Sequence, residues 1–183
     1  MSRSGFGKGG FNQGGFGQGG FGRNGPAMPV LFFVAVACAG GLGAYVTIPQ
    51  IPGWYHGLAR PSWTPPDQVF GPTWTVMYVL MALAATLVWR SYAHVGAERA
   101  ARARGLTLWW AQILANALWS PLFFGGHFLA IALADIVVLW LLILATLLSF
   151  RRLRPLAGWL MLPYLLWASY AAALNAAIWT LNG

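Results

Sequence analysis

Charged residues are scarce in this sequence. Its 183 residues include 11 Lys and Arg but only 3 Asp and Glu, so that 8% of the residues are charged, whereas a soluble domain carries about 25%. So few charges cannot cover the surface of a water-soluble protein of 19.8 kDa. The composition, with a mean hydropathy of +0.62, therefore excludes a soluble globule and predicts a protein that is surrounded by lipid.

Residues that could carry ordinary catalysis are few as well. Cys38 is the single cysteine, which excludes an intrachain disulfide and a metal site built from several cysteines. His56, His94 and His127 fall in different predicted connections, without acidic or thiol partners at ligand spacing. The sequence also lacks a Ser/His/Asp arrangement, a paired carboxylate and a glycine-rich phosphate loop before a helix. We therefore expect no metal, no cofactor and no ordinary enzymatic mechanism.

A Gly/Phe-rich tail, residues 1–27, precedes the apolar part of the chain. Its pattern G-G-F-x-x repeats at Phe6, Phe11, Phe16 and Phe21. Such a segment has little to bury, and we predict that it is disordered. It lacks the continuous apolar stretch of a secretory signal. It is either an inert extension or a weakly self-associating tail that recruits partners.

Uncharged stretches long enough to span a membrane, about 20 residues each, follow in residues 28–183. Pro49 and Pro52 are expected to end the first helix. Pro121 with Gly125 and Gly126 is expected to supply the turn that divides a later uncharged run, which is too long for one span. We predict an all-α fold, a bundle of five transmembrane helices. The predicted helices cover residues 30–48, 69–90, 106–124, 128–150 and 156–181.

Nearly all Lys and Arg residues fall on one side of the predicted helix bundle. With five spans, every Lys and Arg except Arg60 falls on the face that holds the N-terminus. The positive-inside rule makes that face cytoplasmic in an inner membrane, and it places the long first connection, between helices one and two, on the far side. The net charge of +8 is therefore a signal of topology. Because the arginines are not arrayed on one amphipathic face, we expect no nucleic-acid partner.

The 11 tryptophans exceed what belts at the membrane interfaces require. Four lie near predicted helix ends beside arginines, and we interpret them as interface anchors: Trp89, Trp109, Trp110 and Trp159. Other tryptophans lie toward the opposite face, the one that carries only Arg60 among the cations. There, Trp74 and Tyr78 lie along one side, or stripe, of helix two. Trp167, Ala171 and Leu174 likewise lie along one side of helix five. Large rings beside small residues leave a slot for a flat ligand, although such stripes also serve helix packing.

Polar residues in the predicted helices should face the protein interior, because amide and hydroxyl groups avoid lipid. Gln112, Asn116 and Ser120 form such a ridge on helix three, and for Gln112 packing is the favoured interpretation. Asp135 is the acid predicted within a span, which makes it either a functional group or, as we favour, a structural partner. On helix one, Ala35, Ala39 and Gly43 permit close helix approach, within the bundle or across a dimer.

The first connection is predicted to be a stiff cover over this region. Its prolines restrict the backbone, and Trp54, Tyr55, Leu58 and Trp63 give it an apolar underside. Arg60 either pairs with Asp67 or meets a carboxylate of a ligand. His127, in the connection between helices three and four, is expected to be an exposed turn residue.

Four long motifs resemble those of the tryptophan-rich sensory protein family, also called the translocator protein or peripheral-type benzodiazepine receptor family. They read W-Y-H-G-L-A-R-P-S-W-T-P-P (54–66), F-G-P-T-W-T-V-M-Y (70–78), Q-I-L-A-N-A-L-W-S-P-L-F-F-G (112–125) and P-Y-L-L-W-A-S-Y-A-A-A-L-N (163–175). The resemblance covers residues 29–182. It implies a five-helix membrane protein, usually a homodimer, whose cavity binds porphyrins and, in animal members, cholesterol and synthetic ligands.

The resemblance also assigns residues to that cavity. Together with the stripes above, it predicts a ligand site formed by Trp63, Trp74, Tyr78, Asn116, Trp119, Trp167, Ala171 and Leu174. Trp74 and Trp167 resemble two tryptophans that bacterial relatives use in light-dependent porphyrin breakdown, so they are the candidates for a catalytic role. Animal members carry Tyr and Arg in a sterol segment where this chain has Ala176 and Thr180, so the segment gives no support for sterol binding.

We therefore predict a multi-pass sensor or receptor in a bacterial inner or outer membrane. Its expected partners are a porphyrin or haem-like small molecule, membrane lipid and a second copy of the chain. The alternative function is a transporter of porphyrins or other lipophilic small molecules.

Overall fold

The computed structural model describes residues 25–91 and 96–183, and every regular element in these two ranges is helical. Five long helices follow one another: α1 (Ala27–Thr47), α2 (Asp67–Trp89), α3 (Gly96–Ser120), α4 (Leu129–Leu153) and α5 (Pro155–Asn182). Helices α1, α2, α4 and α5 are long and apolar enough to cross a membrane. The protein is therefore an all-helical, multi-pass membrane protein. The predicted tail up to residue 24, and His94, lie outside the described residues.

Helix α1 ends at Thr47, one residue before the predicted end, but the chain continues through Pro49 and Pro52 in two further helical turns of other types. A 3₁₀ turn (Ile48–Gln50) and a π-helical turn (Ile51–Tyr55) follow α1 directly. Each proline lies in the first turn of its own segment, where it need not donate a hydrogen bond to the preceding turn. As a result, the first connection is shorter than predicted, and the wider π turn brings Tyr55 into a buried position.

Helix α3 begins at Gly96, well before the predicted start at residue 106. The added turns carry Arg99, Arg102 and Arg104, and they are helical because Arg, Ala and Glu are good helix formers. Arg102 donates hydrogen bonds to the main-chain carbonyls of Trp89 (3.4 Å) and Ser91 (3.2 Å). A cation at these carbonyls stabilises the C-terminal end of α2.

The chain divides in the predicted region, Pro121 with Gly125 and Gly126, since α3 ends at Ser120, but Pro121 itself does not stop the helical path. It opens a second π-helical turn, Pro121–Gly125, that extends α3. The chain reverses after this turn, where His127 has the left-handed backbone angle φ of 58°. The reversal therefore depends on His127, a position that favours glycine, and not on the proline.

Small residues allow the helices to pack closely. Helix α1 packs against α2 and α3, and α4 packs along α3 and α5. A Cβ atom added to Gly40 would lie 2.7 Å from Cε2 of Tyr78, and one added to Gly43 would lie 3.3 Å from Oγ of Ser120. Gly40, Gly43 and the buried Ala39 therefore serve contacts within this chain.

The interior holds one tryptophan that the sequence interpretation placed at the membrane interface. Trp109 is fully buried, and its Nε1 donates a hydrogen bond to the main-chain carbonyl of Met81 at 3.1 Å. Its assignment as an interface anchor was wrong, because it shares a helix face with the buried residues Gln112, Ile113 and Asn116. Trp110 and Trp159 are exposed, as anchors should be.

Candidate ligand-binding site

Trp74 on α2 and Trp167 on α5 lie edge to face, with ring centroids 6.5 Å apart and an interplanar angle of 87°. Each indole is extended by a stacked tyrosine one turn away on its own helix: Tyr78 beside Trp74 at 5.7 Å, and Tyr170 beside Trp167 at 5.5 Å. Phe70 contacts Trp167 at 6.0 Å. Both tryptophans are half-buried, so the pair faces the seam between α2 and α5.

The indole N–H of Trp167 is one of four buried polar side-chain groups that have no hydrogen-bond partner within the described residues, 25–91 and 96–183. Buried polar groups in proteins are nearly always hydrogen-bonded, and a group without a partner calls for an explanation. A ligand with an acceptor atom or a π face next to this indole would supply the missing interaction.

Asn116 on α3 joins the helices around this pair. Its Oδ1 accepts a hydrogen bond from the hydroxyl of Tyr78 on α2, and its Nδ2 donates one to the hydroxyl of Tyr164 on α5, both at 2.9 Å. The ring of Tyr164 in turn contacts Trp74 at 6.1 Å. Asn116 thus positions the two tyrosines next to Trp74. Tyr164 was missed in the sequence, although it lies three residues before Trp167 on the same helix.

Trp119 is held in a neighbouring group of contacts. Its Nε1 donates to Oδ1 of Asn175 at 3.1 Å, and Nδ2 of Asn175 donates to the main-chain carbonyl of Leu129 at 3.0 Å. The Trp119 ring stacks on Phe123, with ring centroids 5.0 Å apart. These contacts join α3, α4 and α5, so Trp119 has a packing role in this structure whether or not it meets a ligand.

The eight predicted site residues therefore do not form a single group of contacts. Trp74, Tyr78, Asn116 and Trp167 form one connected set through the contacts above, and half-buried Ala171 packs against the same core cluster. Leu174 is buried in the smaller cluster that also contains Tyr55 and Phe123. Trp63 lies in the first connection and is 46% exposed. A common cavity for all eight residues stays a prediction.

The first connection is fastened to α5 at two points. The side-chain amide of Asn182 accepts a hydrogen bond from the main-chain N–H of Ala59 and donates one to its carbonyl, both at 2.9 Å. The hydroxyl of Tyr170 donates to the main-chain carbonyl of Trp63 at 2.8 Å, and the two rings are 5.6 Å apart. Since Tyr170 stacks on Trp167, the first connection lies next to the tryptophan pair.

Arg60 pairs with Asp67, one of its two expected roles. Their closest atoms, Nη1 and Oδ1, are 4.0 Å apart, while His56 Nε2 lies 2.7 Å from the other carboxylate oxygen. The Arg60 guanidinium also lies over the ring of Tyr55, 4.9 Å from its centroid. The side chains of His56, Arg60 and Asp67 border an open cleft of about 630 Å³ between the first connection and the start of α2.

The other end of the first connection packs against the turn between α3 and α4. Trp54 stacks on His127 with ring centroids 4.0 Å apart and nearly parallel planes, and it contacts Phe123 and Phe124 edge to face. His127 is exposed, as predicted. These contacts hold Trp54 against the turn between α3 and α4. Trp54 therefore gives the first connection an apolar inner face, as the predicted cover requires.

Besides the indole N–H groups of Trp89 and Trp167, two polar oxygens within the helices lack a hydrogen-bond partner in the described part of the chain. Oδ2 of Asp135 is buried without a hydrogen bond, and so is Oε1 of Gln112. Gln112 is fully buried, with Nε2 at 3.9 Å from Sδ of Met81, which agrees with its expected packing role. At Oδ2 of Asp135 the described residues supply no hydrogen-bond partner, so the favoured structural role and the alternative functional role both stay predictions.

Comparison with known proteins places the chain in a family. A model of the TspO/MBR family matches residues 31–180. The chain belongs to the TspO/MBR family. Relatives include Protein CrtK of Rhodobacter capsulatus, 40% identical over 153 residues that cover 83% of this chain and 91% of that protein. These matches confirm the family resemblance of the four motifs.

Two further relatives carry the family's two common names. The Tryptophan-rich sensory protein of Cereibacter sphaeroides is 38% identical over 152 residues, which cover 83% of this chain and 91% of the relative. The Translocator protein of Homo sapiens is 33% identical over 161 residues, which cover 86% and 92%. Both bacterial and animal members therefore align over nearly their whole length with the helical part of this chain.

Proposed function

We propose that this protein is a five-span membrane receptor that binds a flat tetrapyrrole, such as a porphyrin, beside Trp74 and Trp167. The observation that carries the proposal is the edge-to-face pair of these indoles, in which Nε1 of Trp167 is buried and unpartnered. Two large rings at an angle form a corner into which a planar aromatic molecule can stack. The resemblance to porphyrin-binding relatives supports the same ligand class.

The fifth span in this proposal is α3 together with its π turn. The charged residues of α3 end at Arg104, and an uncharged helical path runs from Gly105 to Gly125. That path contains about 20 residues, or ~30 Å of helix, which matches the thickness of the hydrocarbon core. The arginine-rich first turns of α3 would then extend into water on the cytoplasmic side.

Titration with protoporphyrin tests the proposal. Added protoporphyrin should saturably quench the tryptophan fluorescence of the purified full-length protein in lipid nanodiscs. Binding should also shift the main absorption band of the porphyrin. In Trp167→Ala the apparent Kd should rise about tenfold or more, because a stacked, desolvated ring contact is lost. Trp159→Ala is the matched control on the same helix, since Trp159 is 59% exposed and lies about two turns before Trp167, near the start of α5.

The control separates site binding from partition into the lipid. Equal affinity of wild type, Trp167→Ala and Trp74→Ala would contradict the proposed site. A weakening in Trp159→Ala of the same size would show that the effect is not local to the tryptophan pair.

Transport of the same ligand is the second candidate, and Asp135 is the observation that favours it. A buried carboxyl oxygen without a partner inside a membrane helix is typical of groups that exchange protons or meet a substrate during transport. Sealed liposomes with a pH gradient should then accumulate porphyrin, and Asp135→Asn should abolish the accumulation without loss of binding. Tight binding without flux in the wild type would eliminate this candidate.

We also propose that the protein forms a homodimer in a bacterial membrane through the outer face of α1. Exposed Cys38 lies on that face, where a Cβ added to Gly41 would meet no atom within 4 Å. Helices with small exposed residues can approach closely in lipid. Oxidation in membranes should cross-link Cys38 to Cys38 of a second copy. A monomeric mass in detergent together with no cross-link would contradict the proposal.

A further inference from the structure

The cleft beside the first connection is separate from the predicted tryptophan site. It is open to solvent, and its volume of about 630 Å³ lies within the range of small-molecule sites, about 300–1,000 Å³. Its lining includes the apolar residues Leu58 and Pro61. It also includes polar and ionisable residues, namely His56, Arg60, Asp67 and Gln68. A cleft of this character suits the polar edge of a mostly apolar molecule.

Arg60 is the group in this cleft that can receive an anion. Its 4.0 Å contact with Asp67 is too long for a hydrogen bond, so Asp67 does not occupy the guanidinium donors. A guanidinium carries five N–H donors in a planar fork, which can bind a carboxylate through two hydrogen bonds. The ring of Tyr55 under Arg60 holds that fork in place.

Helix α2 connects the cleft with the tryptophan pair. Asp67 and Trp74 are seven residues apart on one face of α2, which separates them by about 10 Å along the helix. Phe70, one turn beyond Asp67, already contacts Trp167 at 6.0 Å. The separation of Asp67 from Trp74 is within the reach of a tetrapyrrole that stacks against Trp74 and Trp167. The first turn of α2 also faces the cleft, and the dipole of a helix favours negative charge at this end.

We propose that the cleft binds the carboxylate side arms of the ligand, with Arg60 as the residue that pairs with them. The proposal rests on the proposed function, since it assigns the polar edge of the same flat ligand. Asp67 acts in the opposite direction, because its negative charge, 4.0 Å from Arg60, repels an incoming carboxylate. The cleft thus selects tetrapyrroles with free acid arms over neutral ones.

The test compares protoporphyrin with its dimethyl ester, in which both carboxylates are blocked. Wild-type protein in nanodiscs made from zwitterionic lipid should bind the free acid more tightly than the ester. Arg60→Gln should weaken binding of the free acid about tenfold and leave the ester unchanged. Arg60→Lys, which keeps the charge but loses the fork, should fall between. Asp67→Asn should strengthen binding of the free acid several-fold and leave the ester unchanged.

Each ligand is compared between the wild type and each variant, so the different solubility of the two ligands does not affect the result. Damage to the fold would weaken the binding of both ligands and can therefore be recognised. Equal effects of Arg60→Gln on both ligands would overturn the proposal, because the substitution would then act on the first connection as a whole. Unchanged binding of the free acid in Arg60→Gln would overturn it as well. In both cases the ester would still bind beside Trp74 and Trp167, so the proposed function would stand. Loss of saturable binding for both ligands in the wild type would contradict the proposed function itself.

Discussion

Nδ2 of Asn116 donates a hydrogen bond to the hydroxyl of Tyr164 at 2.9 Å, which joins the buried face of α3 to α5. The same amide accepts a hydrogen bond from Tyr78 on α2, so one side chain connects three helices. Tyr78 and Tyr164 both contact the ring of Trp74. The orientation of the tryptophan pair therefore depends on a residue that need not touch the ligand.

Substitution Asn116→Ala should destabilise the protein by about 1–3 kcal/mol, because two hydrogen bonds are lost and two hydroxyls are left in an apolar interior. Reversible unfolding in mixed detergent micelles measures this loss. Ser169→Ala is the control, since Ser169 loses its contact with Nε1 of Trp140 at an exposed position. Equal stability of the two variants would contradict the role assigned to Asn116.

The close contact of α1 with α2 gives a second prediction. Gly40→Ala should lower stability by about 1–3 kcal/mol, because its Cβ would lie 2.7 Å from the ring of Tyr78. Gly41→Ala is the matched control: its Cβ would meet nothing within 4 Å, and alanine favours the helix. Thermal unfolding of both variants provides the comparison. A Gly40→Ala protein as stable as Gly41→Ala would show that α1 and α2 are not in close contact.

The attachment of the first connection to α5 gives a third prediction. Asn182→Ala removes both hydrogen bonds to Ala59, so amide hydrogen exchange at Ala59 and its neighbours should become faster by about tenfold or more. Asn182→Asp can still accept from the N–H of Ala59 but cannot donate to its carbonyl, and an intermediate rate is expected. Thr180→Ala, which loses only a local hydrogen bond to Ala177, should leave exchange at Ala59 unchanged.

Exchange is followed by mass spectrometry without ligand. Unchanged protection at Ala59 in Asn182→Ala would contradict the attachment, whatever the protein binds. Faster exchange throughout α5 would instead show that the substitution destabilises the helix itself.

The sequence predicted the helices, and the face of α2 and of α5 that carries the aromatic rings, because both follow from local spacing. Apolar runs of spanning length identify helices in lipid, and rings at positions such as Trp74 and Tyr78 fall on one helix face. The placement of Trp109 could have been read in the same way, from its shared face with Gln112 and Asn116. The shared helix face decides the placement of Trp109, whereas its position near a predicted helix end does not.

Contacts between distant residues could not be predicted in this way. Asn182 meets Ala59 across 123 positions, and Tyr170 meets Trp63 across 107. No periodic pattern links such pairs, because they depend on how the helices pack. The π turns at Ile51–Tyr55 and Pro121–Gly125 were missed for another reason: proline in the first turn of a segment is compatible with a continuing helix as well as with its end.

The indole N–H of Trp167 offers the most direct test of the central claim, that a flat ligand lies against the tryptophan pair. Protein labelled with ¹⁵N-tryptophan in nanodiscs should show a shifted Trp167 indole resonance, and slower exchange of its proton, when protoporphyrin is added. The Trp159 resonance should not move. A Trp167 resonance that stays unchanged at saturating porphyrin, while other resonances shift, would contradict the account.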